Sequence, residues 1–111
     1  MEIVDFTMTA GDSKTVTVSV TEQSDGAATN ITGATISWKA ARSLRKSPVL
    51  TKTTAAGIAI TSGAGGTFDI TLDPSDTTSL SGDFYHEAKV TFTTGEVATV
   101  LRGVMTISPG F

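Results

Sequence analysis

From Ser81 to Phe92 the chain reads Ser-Gly-Asp-Phe-Tyr-His-Glu-Ala-Lys-Val-Thr-Phe, and its side chains alternate in character with a period of two. Phe84, His86, Ala88, Val90 and Phe92 fall on one face, and Tyr85, Glu87, Lys89 and Thr91 on the other. Successive side chains of a β-strand point to opposite faces, so this pattern predicts a strand with one face in a core and one in water. One sheet alone leaves that apolar face bare. A second sheet must cover it, which makes a β-sandwich the expected fold. Such a scaffold hosts many unrelated activities, so the fold by itself assigns none.

The rest of the chain repeats the theme. Threonine is its commonest residue and glycine occurs 11 times, a balance that favours pleated strands joined by turns over long helices. Ile3 to Met8 reads as a first strand, and Thr15 to Thr21 as a second in which Val16, Val18 and Val20 alternate with Thr and Ser. Glu22 to Asn30 carries Asp25-Gly26 and reads as a loop. Ala34 to Ala40 resumes the alternation and points Trp38 inward with Ile36. Ala41 to Pro48 is a connection, and Val49 to Thr53 a short strand. Ile58 to Thr61 and Thr67 to Leu72 form a hairpin across Gly63-Ala64-Gly65-Gly66. Asp73-Pro74-Ser75-Asp76 places a capping carboxylate before a proline, which predicts one helical turn from Pro74 to Leu80 that bridges the sheets. A final strand from Val97 to Ser108 is expected to bulge at Gly103. These segments amount to an all-β sandwich of seven to eight strands with one short helical turn, and 111 residues fit a single domain over 1–111.

Composition removes several chemistries. There is no cysteine, so disulfides, thiolate metal sites and thiol nucleophiles are excluded together. His86 is the only histidine, and its parity places it in the core, where a hydrogen-bonded structural role is expected. Asp69, Asp73, Asp76 and Asp83 match no calcium-loop spacing, and no phosphate-loop lysine follows the glycine run. Neither a catalytic centre, a metal nor a cofactor is expected. A net charge of −3 argues against binding nucleic acid, which relies on many cationic side chains. No apolar run approaches the ~18 residues of a membrane span, so no membrane partner is expected. Met1 to Phe6 lacks the basic start and apolar stretch of a secretory signal, which sets the expectation of a cell-interior location or a particle assembled there. The Asn30-Ile31-Thr32 sequon is then without consequence.

Charge placement is more informative than net charge. No acid occurs from Gly26 to Phe68, and Lys39, Arg42, Arg45, Lys46 and Lys52 supply five of the eight basic residues. An acidic chain thus has one basic segment. Such a segment is either a solvated loop whose charge protects a sheet edge or, together with Pro109 and Phe111 in the terminal tail, the set of partner contacts, through complementary charge and an otherwise unexplained aromatic.

In order along the chain, Gly11-Asp12-Ser13-Lys14-Thr15-Val16-Thr17-Val18, Ile31-Thr32-Gly33-Ala34-Thr35-Ile36-Ser37-Trp38, Asp73-Pro74-Ser75-Asp76-Thr77, Phe84-Tyr85-His86-Glu87-Ala88-Lys89-Val90 and Val100-Leu101-Arg102-Gly103 carry a resemblance. They resemble the immunoglobulin-like modules of tailed-bacteriophage structural proteins, the N-terminal domain of baseplate upper proteins most of all. The resemblance implies an immunoglobulin-like sandwich without catalytic activity. It also implies a place in the virion, assembled in the host cytoplasm, with other virion structural proteins as partners and several copies in a symmetric assembly. The tail, baseplate, a fibre, the head surface and the connector all fit. A host-surface glycan-binding or adhesive module is the alternative, which exposed aromatic platforms would favour.

Overall fold

The computed structural model describes residues 2–20, 30–43 and 46–110. The loop expected from Glu22 to Asn30 lies, apart from Asn30, outside the described residues, as do Arg45 and Phe111. The strand segments are β1 (Glu2–Ile3), β2 (Phe6–Thr9), β3 (Lys14–Ser19), β4 (Thr35–Ala41), β5 (Leu50–Thr53), β6 (Ile58–Ser62), β7 (Thr67–Leu72), β8 (Gly82–Thr91) and β9 (Val97–Ser108). One helix, α1 (Pro74–Thr77), separates β7 from β8. Counting the interrupted β1–β2 pair as one strand gives eight among the described residues.

Two sheets form. The larger has the order β1-β9-β8-β4-β5, with β2 continuing β1 along β9; the smaller has the order β3-β7-β6. This is a two-sheet β-sandwich whose first strand lies beside its last. The inner faces close over Trp38, Phe68, Phe84, Ile36, Ile70, Leu72, Leu101 and Met105, each essentially inaccessible to solvent. The alternation of β8 is realised as expected: Phe84, His86, Ala88 and Val90 are buried, while Tyr85, Lys89 and Thr91 are exposed.

Three local expectations are corrected. The bulge in β9 is at Val100, not Gly103: Ala88 pairs with Leu101 and Lys89 with Thr99, leaving Val100 unpaired. The extra residue lets consecutive Val100 and Leu101 both face the core. The first strand is broken at Val4 and Asp5, for a reason given below. The helix stops at Thr77 instead of Leu80. Its start is as the sequence implies, with Pro74 in the first turn and the Asp73 amide donating to Asp76 Oδ2 at 2.7 Å. It ends early because the Thr78 hydroxyl donates back to the Ser75 carbonyl at 3.3 Å, competing for a helical acceptor. Buried Thr77 is also committed, its Oγ1 accepting from the Gly11 amide at 3.0 Å.

Candidate contact surface

His86 is the residue that would have to anchor any acid–base chemistry, and its geometry shows what it does instead. It is 2% exposed. Trp38 Nε1–H donates to His86 Nδ1 at 3.1 Å, so Nδ1 is an acceptor and the ring proton sits on Nε2. Nε2–H then donates to the Val4 carbonyl at 2.7 Å. Phe6 packs edge-on against the imidazole, with ring centroids 5.4 Å apart. Burial pushes the imidazole below its ordinary value, and the Val4 hydrogen bond and the Asp5 charge only partly oppose this. Both ring nitrogens are occupied within the protein, which leaves neither for a substrate.

The same arrangement explains the break in the first strand. In a parallel ladder with Val4 opposite Gly103, the Val4 amide donates to the Arg102 carbonyl, as observed at 2.8 Å, and the Val4 carbonyl should accept from the Val104 amide. That second rung is replaced. The Val4 carbonyl turns to His86, and the Asp5 carboxylate takes the Val104 amide at 2.8 Å. Gly103 makes the exchange possible, because a Cβ there would lie 1.8 Å from the Val4 carbonyl oxygen. The glycine that the sequence suggests as a bulge is an opening through which strand and histidine meet.

The cations of the expected contact segment do not behave as one patch. Lys39 is on the outer face of the large sheet and is exposed. Arg42, just past β4, lies with its guanidinium carbon 4.2 Å from the Phe84 ring centroid, a cation–π contact at the end of the core. Lys46 and Pro109 are exposed, and Arg45 and Phe111 lie outside the described residues. Lys52 corrects the expectation: it is the cross-strand partner of Trp38, points inward, and reaches Asp76 Oδ2 at 2.7 Å with its side chain 12% exposed. Partial burial pushes the Asp76 carboxyl up, but the Lys52 hydrogen bond, the Asp73 amide and the Lys52 charge outweigh it and hold the carboxyl below its ordinary value. Lys52 is a strap between β5 and α1, not a free cation.

The surface best equipped for contact is one that a segment-by-segment reading misses. In the register of the large sheet, Ala41, Tyr85 and Val104 lie directly opposite one another on adjacent strands. Val49, whose amide donates to the Ala40 carbonyl at 2.8 Å, extends that row beyond β4. Tyr85 is 45% exposed and Val49 44%. The neighbouring row is Ile3, Arg102, Glu87, Lys39 and Thr51, in which Ile3 is also exposed. Glu87 is held by Arg102 at 3.0 Å and by Lys89 at 3.6 Å. The outer face therefore carries an apolar row beside a row richer in cations than anions. Its signal in the sequence is the parity of Tyr85, an aromatic on the water side of β8.

Ser37, Lys39, Glu87 and Lys89 line a shallow depression of about 160 Å³ on this face, well short of the roughly 300–1,000 Å³ of small-molecule sites. Among the described residues no cluster of His, Asp and Glu is placed to hold a metal ion. No family model matches the chain, and no curated protein matches it in sequence.

Proposed function

We propose that this chain is a non-catalytic structural module of a tailed-bacteriophage virion that works through protein–protein contacts. The observation that carries the contact part is the outer face of the large sheet, where Tyr85, Val104, Val49 and Ile3 stand beside Lys39, Arg102 and Lys89. A large aromatic in an apolar row with charged flanks is the composition of a protein interface, with Tyr and Arg as its usual anchors. The charges on this face balance, Lys39, Lys89 and Arg102 against Asp5, Asp83 and Glu87, so the apolar row and not net charge would select the partner. The phage setting rests on the resemblance of the ordered strand and turn motifs to virion immunoglobulin-like modules. In that setting the module joins other virion proteins in several copies, as a tail, baseplate or fibre adaptor, a head decoration or a connector component.

The glycan-binding alternative draws on the same Tyr85, since an exposed ring can stack on a sugar. The flatness of the face and the small volume of the adjoining depression favour protein. Quantitative mass spectrometry of tailed particles purified from host cells that carry the gene tests the reading. The wild-type chain is expected at a fixed copy number per particle. Tyr85→Glu is expected to keep its melting temperature and to lower occupancy about tenfold or more. Absence of the wild-type chain from particles would end the proposal, and normal occupancy of the variant would move the contact elsewhere.

A further inference from the structure

Among the described residues the sandwich has four sheet edges, and three are guarded. β5 is four residues long and turns Lys52 inward. β6 changes register between Ile60 and Ser62. The β1–β2 edge is interrupted where Asp5 replaces a backbone rung. Short length, inward charge, bulges and breaks are the devices that keep edges from pairing with other chains. β3 carries one charge, Lys14 at its very first position with Nζ 5.4 Å from the Phe6 ring centroid, and from Thr15 to Ser19 it has none of these. It runs six residues, Lys-Thr-Val-Thr-Val-Ser, in unbroken register with β7 from Lys14 opposite Leu72 to Ser19 opposite Thr67.

The direction of its free backbone groups follows from that register. Just beyond β3 the Val20 amide donates to the Gly66 carbonyl at 2.7 Å, in phase with the Lys14–Leu72 pairing. Hydrogen-bonded and non-bonded positions alternate in an antiparallel pair, so the even-numbered residues spend their backbone groups on β7. Thr15, Thr17 and Ser19 aim theirs off the sheet, and among the described residues no other strand pairs there.

We infer that a second copy of this chain pairs antiparallel with the β3 edge about a two-fold axis at Thr17, joining two small sheets into one six-stranded sheet. The strand is self-complementary in this register. Thr17 meets Thr17 and Thr15 meets Ser19 on the outer face, and Val16 meets Val18 on the inner face. Every outward-aimed backbone group finds a partner, and no charge opposes a like charge. An isologous contact of this kind closes at two copies, so it gives a dimer and not a fibre. It resembles strand addition, in which main-chain hydrogen bonds supply the affinity. Val16 and Val18 are already buried in the single chain, so little further apolar area is gained and the association is weak. The inference does not depend on the virion reading, and its test needs no particle.

Sedimentation equilibrium of the purified 111-residue chain, from about 10 µM to 1 mM, is expected to show a monomer–dimer equilibrium. Thr17→Lys places two cations opposite each other at the axis, while within its own sheet the lysine faces Asp69, the present cross-strand partner of Thr17. It should weaken association about tenfold or more with little change in the thermal melt. Mixing Thr17→Lys with Thr17→Glu should restore pairing, as only a contact between two copies of position 17 predicts. If Thr17→Lys does not fold, Thr17→Pro serves, because it removes an amide that β7 does not use. A chain that stays monomeric across the range overturns the inference. So does a dimer that survives these variants, or one that Tyr85→Glu dissolves instead.

Discussion

On the flank formed by β1 and β2 the polar group admitted to the core is a neutral imidazole; on the flank formed by β5 it is an ion pair. His86 is almost wholly inaccessible and spends one ring nitrogen on Trp38 and the other on Val4. Lys52 and Asp76 keep part of their surface in water, at 12% and 18% exposure, and meet as an ion pair at 2.7 Å. The difference follows from desolvation: burying a charge costs more than burying a satisfied neutral group. The deeper site holds the neutral form, while the rim tolerates the ions. Trp38 stands between them, as hydrogen-bond donor to His86 and cross-strand neighbour of Lys52.

Trp38→Ala is therefore the change that strikes both flanks. It opens a cavity under the small sheet, strips the His86 acceptor of its donor and leaves the Lys52 stem without its neighbour. A loss of about 3–5 kcal/mol is expected, as for large aromatic deletions in packed cores. Denaturant titration measures it, and a melting curve within a few degrees of wild type would refute the role. Gly103→Ala strikes one flank alone. Its methyl group would collide with the Val4 carbonyl, so the N-terminal strand must shift, at a cost of about 3 kcal/mol. Hydrogen exchange should then show the Val4 and Phe6 amides losing protection while β5 keeps its own. Equal loss on both flanks would mean that they are not separable.

The sequence discloses these two flanks unequally. The inward direction of Trp38 and His86 is legible because each sits in an unbroken run of period two, and parity needs no knowledge of neighbours. The exchange of a ladder rung at Val4 is not, because it depends on a carbonyl and a glycine 99 positions apart in a parallel pairing that local pattern does not reveal. Asp5, a charge set between Val4 and Phe6, was its only local trace. Lys52 is hidden by its type, because a lysine reads as a surface cation although Leu50 two residues before it shares its face. The outer contact face needed the registry of several strands before Val49, Tyr85 and Val104 became one row.

Acid should separate the flanks in order. The folded state favours neutral His86, so its imidazole titrates below the ordinary 6.5. The unfolded chain binds that proton first, and stability that is complete above about pH 6.5 is lost as pH falls toward the lowered folded value. Asp76 is also lowered, from an ordinary 3.8, but it is the charged form that folding favours. Its contribution is present above 3.8 and is lost only as pH falls through its folded value. Between pH 7 and 5 the denaturation free energy should decline by up to about 1.4 kcal/mol per pH unit from this one proton. His86→Gln, whose amide can accept from Trp38 and donate to Val4, should flatten that slope. An unchanged slope in the variant would show that the histidine flank does not respond to acid.

The smallest effect belongs to the ion pair. Lys52→Met keeps most of the stem that packs beside Gly57 and removes only the ammonium, leaving the Asp76 carboxylate with the Asp73 amide as its remaining partner. A loss of about 1 kcal/mol is expected, above the median of exposed pairs because both groups are mostly covered and salt screens them little. Replacing both partners, as Lys52→Met with Asp76→Asn, removes the unpaired charge as well and should recover part of the loss, since an asparagine oxygen still accepts from the Asp73 amide. The coupling energy of that double-mutant cycle isolates the pair from the packing of the stem. A coupling near zero would make Lys52 a packing residue, and the contrast between a flank held by a neutral ring and one held by charge would then reduce to a difference in burial alone.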